Sequence, residues 1–304
     1  MLLLSLLIAV LLKQLWDGKN PLHHDGWLAA YKDMTHRFLR RLHLQGNGLE
    51  FAIALCLSSC LIIGVGQLLN NYSPFAFMLF ATLVLLYSFG RGEFTRHVSA
   101  YIVAMAKQDW MQAQQAANAL NCHCDDLPDN AWPQLNQRFL KQCNYVGFER
   151  FFAVVFWFVL IGPVGAFAYR FTQLWLAHTQ YSADTKTNNS DALSPDAPKI
   201  QLEKNNHVHH WLWLIEWPAV RLLGLTYAIT GNFSGSMQAW KTIALRKKIP
   251  SDEALMQVLL GALAVEEKLP PNQEVSRREL EALTQLQART LWCWLVIIAV
   301  ALSL

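Results

Sequence analysis

Charged residues are scarce in this sequence. Only 15% of the 304 residues are Asp, Glu, Lys or Arg, whereas 53% are hydrophobic, and the mean hydropathy is +0.19. A soluble globular protein carries roughly 25% charged residues. The net charge is only +3, whereas a nucleic-acid-binding protein is usually strongly basic. The composition therefore indicates an integral membrane protein whose first partner is the lipid bilayer, and it argues against nucleic-acid binding.

Several sequence motifs of catalysis are also missing. The chain has no Walker A motif, no Gly-x-Ser-x-Gly elbow and no His-Glu-x-x-His pair, so nucleophilic hydrolysis has no support. The six cysteines have no disulfide-framework spacing, which fits a reducing cytoplasm and a membrane interior. The segment Cys122-His123-Cys124 lacks the Cys-x2-Cys spacing of a structural zinc site. We therefore predict no metal site.

Long uncharged segments predict membrane helices. Residues 51–69 and 75–90 predict an antiparallel hairpin because only five residues join them. Residues 151–169 form the clearest span, and their Ile-Gly-Pro-Val-Gly run predicts a kink. The apolar start, residues 1–16, has no basic region or cleavage site before Lys13, so we interpret it as a retained helix rather than a signal peptide.

Other segments are amphipathic or polar. Residues 17–48 predict a basic amphipathic helix at a cytoplasmic surface. Residues 91–147 predict a soluble helical insertion, with helices over 97–120 and from about 130 onward, and the polar residues 182–206 predict a disordered linker. The expected fold is all-α: one integral membrane domain over residues 1–304, a multi-pass helical membrane protein with cytoplasmic amphipathic helices.

The central stretch, residues 207–231, places Glu216, Pro218 and Arg221 within apolar sequence. A charge at this depth costs about 3 kcal/mol, so other helices must shelter it. Trp217 and Arg221 are four residues apart and share a helix face, whereas Glu216 and Arg221 do not. Pro218 predicts a bent or broken helix. The distribution of Lys and Arg favours a crossing of the membrane or a deep re-entrant path.

Three segments carry a family resemblance. They are HVSAYIVAMAKQDW from His97, FFAVVFWFVLIGPVGAFAYRFTQLW from Phe151, and WLIEWPAVRLLGLTYAITGNF from Trp213 with the pair Ala239 and Trp240. In these segments the chain resembles the AmpE family, bacterial inner-membrane proteins related to the CobD/CbiB membrane enzymes. The resemblance implies a regulatory or signalling modulator linked to cell-wall recycling and β-lactamase induction, with a protein partner in that signalling.

The enzyme relatives imply which residues to examine. Their Pro-Ala-Arg-Leu motif with a preceding acidic residue matches Glu216, Pro218, Ala219, Arg221 and Leu222, with Val220 intervening before the arginine. Their Glu-Asn pair is absent, and its nearest counterparts are Asn144 and Glu149. We therefore predict a regulator rather than an enzyme. The alternative is a CobD/CbiB-like ligase, a nucleotide-dependent amide-forming synthase that would use a nucleotide with a divalent metal.

The candidate polar membrane site groups residues from two segments: Glu216, Trp217, Pro218, Arg221, Glu149 and Arg150. His97, Tyr101 and Asn144 are secondary candidates. Intramembrane charges mark functional sites, but they also pair to hold structure. Both interpretations of Glu216 and Arg221, a functional site or a structural ion pair in a bent helix, are open at this point.

Overall fold

The structure is a computed structural model that describes residues 2–15, 26–41, 48–90, 94–188, 197–245, 249–263 and 273–303. The described residues form helices and connecting turns and no strands, which confirms the all-α prediction. The helices are α1 (Leu2–Leu15), α2 (Trp27–Arg41), α3 (Leu49–Tyr72), α4 (Pro74–Ser88), α5 (Phe94–Ala106), α6 (Trp110–Asn118), α7 (Trp132–Gly147), a π-helical segment (Phe148–Phe152), α8 (Ala153–Ile161), α9 (Pro163–Asn188), α10 (Ala197–Thr230), α11 (Phe233–Leu245), α12 (Ser251–Leu263) and α13 (Gln273–Ser303).

Four of the described helical stretches are long and apolar enough to cross a membrane: Leu49–Tyr72, Trp132–Ile161, His207–Thr230 and Ser276–Ala301. The shorter helices Leu2–Lys13 and Pro74–Ser88 are also apolar. These lengths fit the ~20 residues that an α-helix needs to span the hydrocarbon core. The helical membrane-protein class expected from the composition is thus confirmed.

The chain divides into two compact units. Unit 1 contains α1 to α4, α8 from Val154, α9, and α10 up to Glu216; unit 2 contains α5 to α7, the π-helical segment, α10 from Trp217, and α11 to α13. The single integral membrane domain expected over residues 1–304 stays a prediction.

The α3–α4 hairpin forms the framework of unit 1. Ser73 is extended, with φ −161° and ψ 130°, and Pro74 begins α4. The reversal occurs here because proline lacks the N–H that would continue α3 but suits the first position of the next helix. α1 packs along α4, with Ser5 Oγ donating to the Met78 carbonyl at 3.1 Å, and α9 packs against both α3 and α4. The predicted hairpin is confirmed.

The segment around Gly162 differs from the prediction. Residues 151–169 were expected to form one kinked span, but α8 ends at Ile161 and α9 begins at Pro163. Gly162 has φ +81°, the left-handed conformation that ends helices and that L side chains rarely adopt. Together with Pro163 it stops one helix and starts another. The span is instead the helical stretch Trp132–Ile161.

Two other helix boundaries also differ. The single helix predicted over 97–120 is divided into α5 and α6, because Gln108 has φ 58° and the Asp109 side chain caps α6 by accepting from Gln112 N at 3.1 Å. The soluble location of residues 91–147 stays a prediction.

Of the predicted linker 182–206, residues 182–188 belong to α9 and 197–206 to α10, while 189–196 lie outside the described residues.

Of the bend or break predicted at Pro218, the break is absent, because α10 is helical from Ala197 to Thr230 with Pro218 inside it, while the bend stays a prediction. A proline within a helix removes one backbone donor, here the donor to the Leu214 carbonyl, while the flanking bonds can keep the helix intact. In lipid-exposed helices this loss is tolerated where neighbouring groups compensate for it.

Unit 2 is held together by an α11–α12 pair whose backbones touch. A Cβ on Gly261 would lie 2.6 Å from the Gly235 carbonyl oxygen and 2.9 Å from Ser236 N, so no side chain fits there. Asn232 N donates to the Ala262 carbonyl at 2.9 Å beside this contact. α7 packs against α12, and α13 contacts both. Small residues allow the close approach on which helix association in membranes depends.

Replacing Gly261 by Ala should lower the stability of the protein. The added methyl overlaps the Gly235 carbonyl, so we expect a loss of about 1–3 kcal/mol, the usual cost of overpacking. The measurement is the thermal unfolding midpoint of detergent-purified protein, obtained from the amount of protein recovered by size-exclusion chromatography after heating.

The matched control is Gly64→Ala in α3, where an added Cβ has no atom within 4 Å. Alanine favours a helix over glycine by up to ~1 kcal/mol, so this variant should be as stable as the native protein or slightly more stable. Equal midpoints for Gly261→Ala and Gly64→Ala would contradict the backbone contact.

Candidate functional site

A buried carboxyl group lies where α10 meets α9 in unit 1. Glu216 has only 2% of its surface exposed, and its Oε1 accepts hydrogen bonds from Tyr169 Oη at 3.0 Å and Gln173 Nε2 at 3.1 Å. Gln173 Nε2 also donates to Tyr169 Oη at 3.0 Å. We call Glu216, Tyr169 and Gln173 the Glu216 cluster. It supplies the shelter that a carboxyl group in this apolar sequence requires.

The helical repeat explains why α9 can supply both donors. Tyr169 and Gln173 are four residues apart and lie on one face of α9, and they are 1% and 9% exposed. Arg170, between them in sequence, is also buried, at 8% exposure. A phenol and an amide are neutral at ordinary pH, so Glu216 is the member of the cluster whose charge can change.

An aromatic layer packs next to this part of α9. Phe171 lies 5.7 Å from Trp175, measured between ring centroids, and 6.4 Å from Phe51 of α3. Tyr31 of α2 meets Phe171 edge-on at 6.1 Å. These rings fix α9 against α2 and α3, and thereby limit the positions that the donors of Glu216 can take.

Arg221 lies in unit 2 and has a different environment. Its guanidinium carbon lies 4.2 Å above the centroid of the Trp217 ring, and the four-residue spacing places both side chains on one helix face. Nη1 donates to the Trp217 carbonyl at 3.2 Å and Nη2 to the Ile243 carbonyl of α11 at 3.4 Å. Trp240 Nε1 donates to the Arg221 carbonyl at 2.9 Å, so the sequence pair Ala239 and Trp240 contributes directly to this surrounding. Stacking on tryptophan and binding to carbonyls stabilise a partly buried cation.

Glu149 and Arg150 lie in the π-helical segment of unit 2. Arg150 Nη2 donates to the Gly90 carbonyl at 3.4 Å, and its guanidinium lies 5.4 Å from the centre of the Phe94 ring. A Cβ on Gly90 would overlap the Arg150 side chain. Arg150 therefore contacts both Gly90 and Phe94, the first residue of α5. π-helical segments occur frequently at functional sites, and the role of Glu149 stays a prediction.

The secondary candidate Asn144 is fully buried in unit 2. Its Nδ2 donates to the Leu255 carbonyl of α12 at 3.0 Å, and its Oδ1 accepts from Tyr227 Oη of α10 at 2.9 Å. The side chain thus links α7, α10 and α12. Satisfied polar contacts of this kind specify how helices pack in an apolar interior.

Tyr101 is also buried, and its Oη donates to Asn136 Oδ1, while Asn136 Nδ2 donates to Ser276 Oγ at 2.9 Å. Its ring stacks on Phe139 with centroids 3.7 Å apart. Burial raises the pKa of Tyr101, so the phenol stays protonated and continues to donate. These contacts join α5, α7 and α13. His97 is half-buried on α5.

Two thiols face each other in the loop between α6 and α7. Cys122 Sγ and Cys124 Sγ are 3.1 Å apart, and both residues are buried. Burial raises the pKa of Cys122, which the neighbouring Cys124 raises further, and burial also raises the pKa of Cys124. Within the described part of the chain, no group of three or more His, Cys, Asp and Glu residues could hold a metal ion.

Sequence reasoning missed Tyr169, Gln173 and Tyr227. The signal for the first two was present, because Tyr169, Arg170 and Gln173 interrupt an otherwise apolar segment at helical spacing. Arg170 was interpreted as the end of a span instead. Tyr227 gave no signal, since a tyrosine in an apolar helix also suits a membrane interface.

Apolar helices with buried polar side chains inside each unit define a multi-pass helical membrane protein. A comparison with protein-family models matches residues 1–300 to the family described as "Regulatory signalling modulator protein AmpE". The chain therefore belongs to the AmpE family. Comparisons with curated proteins and with solved structures find no match. The expected relation to the CobD/CbiB enzymes stays a prediction.

Replacing Glu216 by Leu should destabilise unit 1, because the buried Tyr169 hydroxyl and Gln173 amide lose their common acceptor. We expect a loss of about 1–3 kcal/mol, the cost of removing a buried acceptor that two buried donors share. The triple variant with Tyr169→Phe and Gln173→Leu should recover part of that loss, since the donors are then also removed. Thermal unfolding midpoints of the purified proteins measure both effects.

The control is Glu281→Leu, which removes an exposed carboxylate paired with Arg277 at 2.8 Å. An exposed pair at this spacing contributes only about 0.2–0.5 kcal/mol. A Glu216→Leu midpoint equal to that of the control would contradict a hydrogen-bonded Glu216 cluster.

Cys122 and Cys124 should react slowly with N-ethylmaleimide. The thiolate is the reacting form, and a raised pKa reduces its fraction at neutral pH. An exposed cysteine introduced by Ala119→Cys should react at least ~10-fold faster at pH 7, and its rate should level off above its pKa of about 8.5. Above that pH, the reaction rates of Cys122 and Cys124 should still rise with pH. Peptide-resolved mass spectrometry measures each rate, and coincident pH profiles would show that the thiols are accessible.

Proposed function

We propose that this protein is a signalling modulator of the bacterial inner membrane that influences β-lactamase induction through cell-wall recycling. Its membership of the AmpE family, whose description is a regulatory signalling modulator, supports a regulatory role. We further propose that the Glu216 cluster is the polar site on which this regulation depends. An ionisable group within the membrane is costly, and such groups therefore mark candidate functional sites.

The position of Glu216 on α10 supports this assignment. α10 is helical from Ala197 to Thr230, and it contributes Glu216 to unit 1 and Arg221 to unit 2. A change in the charge of Glu216 would alter its hydrogen bonds with Tyr169 and Gln173, and hence the hold of α9 on α10. A helix can carry such a change along its length because its backbone bonds make it stiff.

The arrangement of unit 1 supports the inner membrane and its orientation. α2 lies against the first half of α3, with Tyr31 Oη donating to the Ala54 carbonyl at 3.0 Å and Lys32 Nζ to Thr179 Oγ1 of α9 at 2.8 Å. The opposite end of the hairpin, at Ser73, has no Lys or Arg between residues 51 and 90. Since cytoplasmic segments carry an excess of Lys and Arg, α2 is assigned to the cytoplasmic side.

The test is complementation in a bacterial strain that has an inducible β-lactamase and lacks its own copy of this gene. Glu216→Gln keeps the shape of the side chain and an oxygen that can accept from Tyr169, but it removes the ability to carry charge. We expect the native protein to restore the β-lactamase activity that follows exposure to a β-lactam. Glu216→Gln should restore less than half of the activity that the native protein restores.

Glu281→Gln is the control, because Glu281 is an exposed residue paired with Arg277. It should complement like the native protein, and immunoblots of membranes should show equal amounts of all three proteins. Complementation by Glu216→Gln at the native level would contradict a role for the charge. Stabilisation of the purified protein by a nucleotide with Mg²⁺, lost in Arg221→Ala, would instead favour the ligase alternative.

A further inference from the structure

A groove of about 310 Å³ opens on the surface of unit 1, and none of its described lining residues belongs to the Glu216 cluster. α3 forms one wall with Ile62, Ile63 and Gly66, and α4 forms the other with Phe77 and Phe80. The turn between α8 and α9 closes one side with Ile161, Pro163 and Val164. A volume of this size is at the lower end of the range for sites that hold small organic ligands.

The polarity of the groove changes along its length. Gln67 and Asn70 of α3 line it towards the end of that helix, and both side chains are exposed. Ile62 lies eight residues before Asn70 in α3, a distance of about 12 Å along the helix at 1.5 Å per residue. The amide groups therefore lie nearest the α3–α4 turn, beside the Phe77 ring that faces Gly66, whereas Ile62 lies further from the turn.

The position of the α3–α4 turn sets the depth of the two ends in a bilayer. Backbone that leaves the helical conformation, as at Ser73, does not occur in contact with lipid chains, so the turn lies at the interface with water. Tyr72, which is 88% exposed, suits the aromatic belt at that level. Gln67 and Asn70 thus lie near the headgroups, and Ile62 lies within the hydrocarbon.

We propose that this groove binds one acyl chain of a diacyl phospholipid, with its ester carbonyls hydrogen-bonded by the side-chain amides of Gln67 and Asn70. The polar end matches the ester level of such a lipid, and the apolar end matches its chain. Amide NH₂ groups donate to carbonyl oxygens, which suits an ester. The proposal is independent of the regulatory function.

The charge of the groove defines its selectivity. None of the described residues that line it is charged, so no ion pair to the phosphate or to an anionic headgroup forms within it. Zwitterionic and anionic diacyl phospholipids should therefore bind equally well. A diether phospholipid keeps the chains but lacks the ester carbonyls, so it should compete less well.

The experiment uses the full protein in lipid nanodiscs that contain a trace of phospholipid with a diazirine on one acyl chain. After irradiation, mass spectrometry locates the labelled peptides. We expect residues 62–80 and 161–164 to be labelled several-fold more than the exposed α13 positions Val296 and Val300, and only the groove labelling should saturate. Unlabelled diacyl lipid should displace it at lower concentration than diether lipid does.

Two variants separate the groove from general contact with lipid. Ile63→Trp fills the groove and should lower labelling there several-fold, whereas Leu61→Trp, on the same helix at a residue outside the lining and 66% exposed, should leave it unchanged. Gln67→Leu keeps the apolar walls, so it should retain labelling but reduce the preference for ester over ether lipid. Uniform, non-saturating labelling, or equal labelling of Ile63→Trp and Leu61→Trp, would overturn the proposal.

Discussion

Polar side chains within apolar helices must find their partners inside the protein, and this constraint governs the surroundings of α10. Lipid chains offer no hydrogen bonds, so the cost of a buried carboxyl group falls only when other helices supply donors. Tyr169 and Gln173 do so for Glu216, at 3.0 and 3.1 Å. Arg221 meets the same demand with the Trp217 ring and two backbone carbonyls. The contacts described for Glu216 lie in unit 1, and those described for Arg221 lie in unit 2.

Close packing of backbones holds α11 and α12 together in unit 2. In a membrane the hydrophobic effect hardly distinguishes a lipid tail from a leucine, so association depends on van der Waals contact and on occasional hydrogen bonds. The α11–α12 pair achieves contact through Gly235 and Gly261, whose backbones touch. Asn144 adds direction, because it binds α10 through Tyr227 and α12 through the Leu255 carbonyl. The glycines set how near the helices come, and the asparagine sets which faces meet.

Unit 1 presents different chemistry at its two ends. α2 brings basic residues to the beginning of α3, whereas the α3–α4 turn is uncharged and lies next to an apolar groove. This asymmetry supports a cytoplasmic position for α2 and a lipid-binding role for the opposite end. The aromatic layer of Phe51, Phe171 and Trp175 packs α9 against α3. Its α3 member, Phe51, lies at the beginning of that helix, whereas the groove lies near its end.

The sequence by itself determined the helical membrane class, the α3–α4 hairpin and the stacking of Arg221 on Trp217, because each depends on local hydropathy or helical spacing. It also contained the Gly162-Pro163 stop, although a kink was the expected outcome. Only the tertiary structure decided that α10 continues through Pro218. It also decided that Glu216 accepts hydrogen bonds from Tyr169 and Gln173, which lie 47 and 43 positions earlier in the sequence. Partners so distant in sequence are selected by the packing of whole helices, and no local pattern of apolar residues encodes which polar faces will meet.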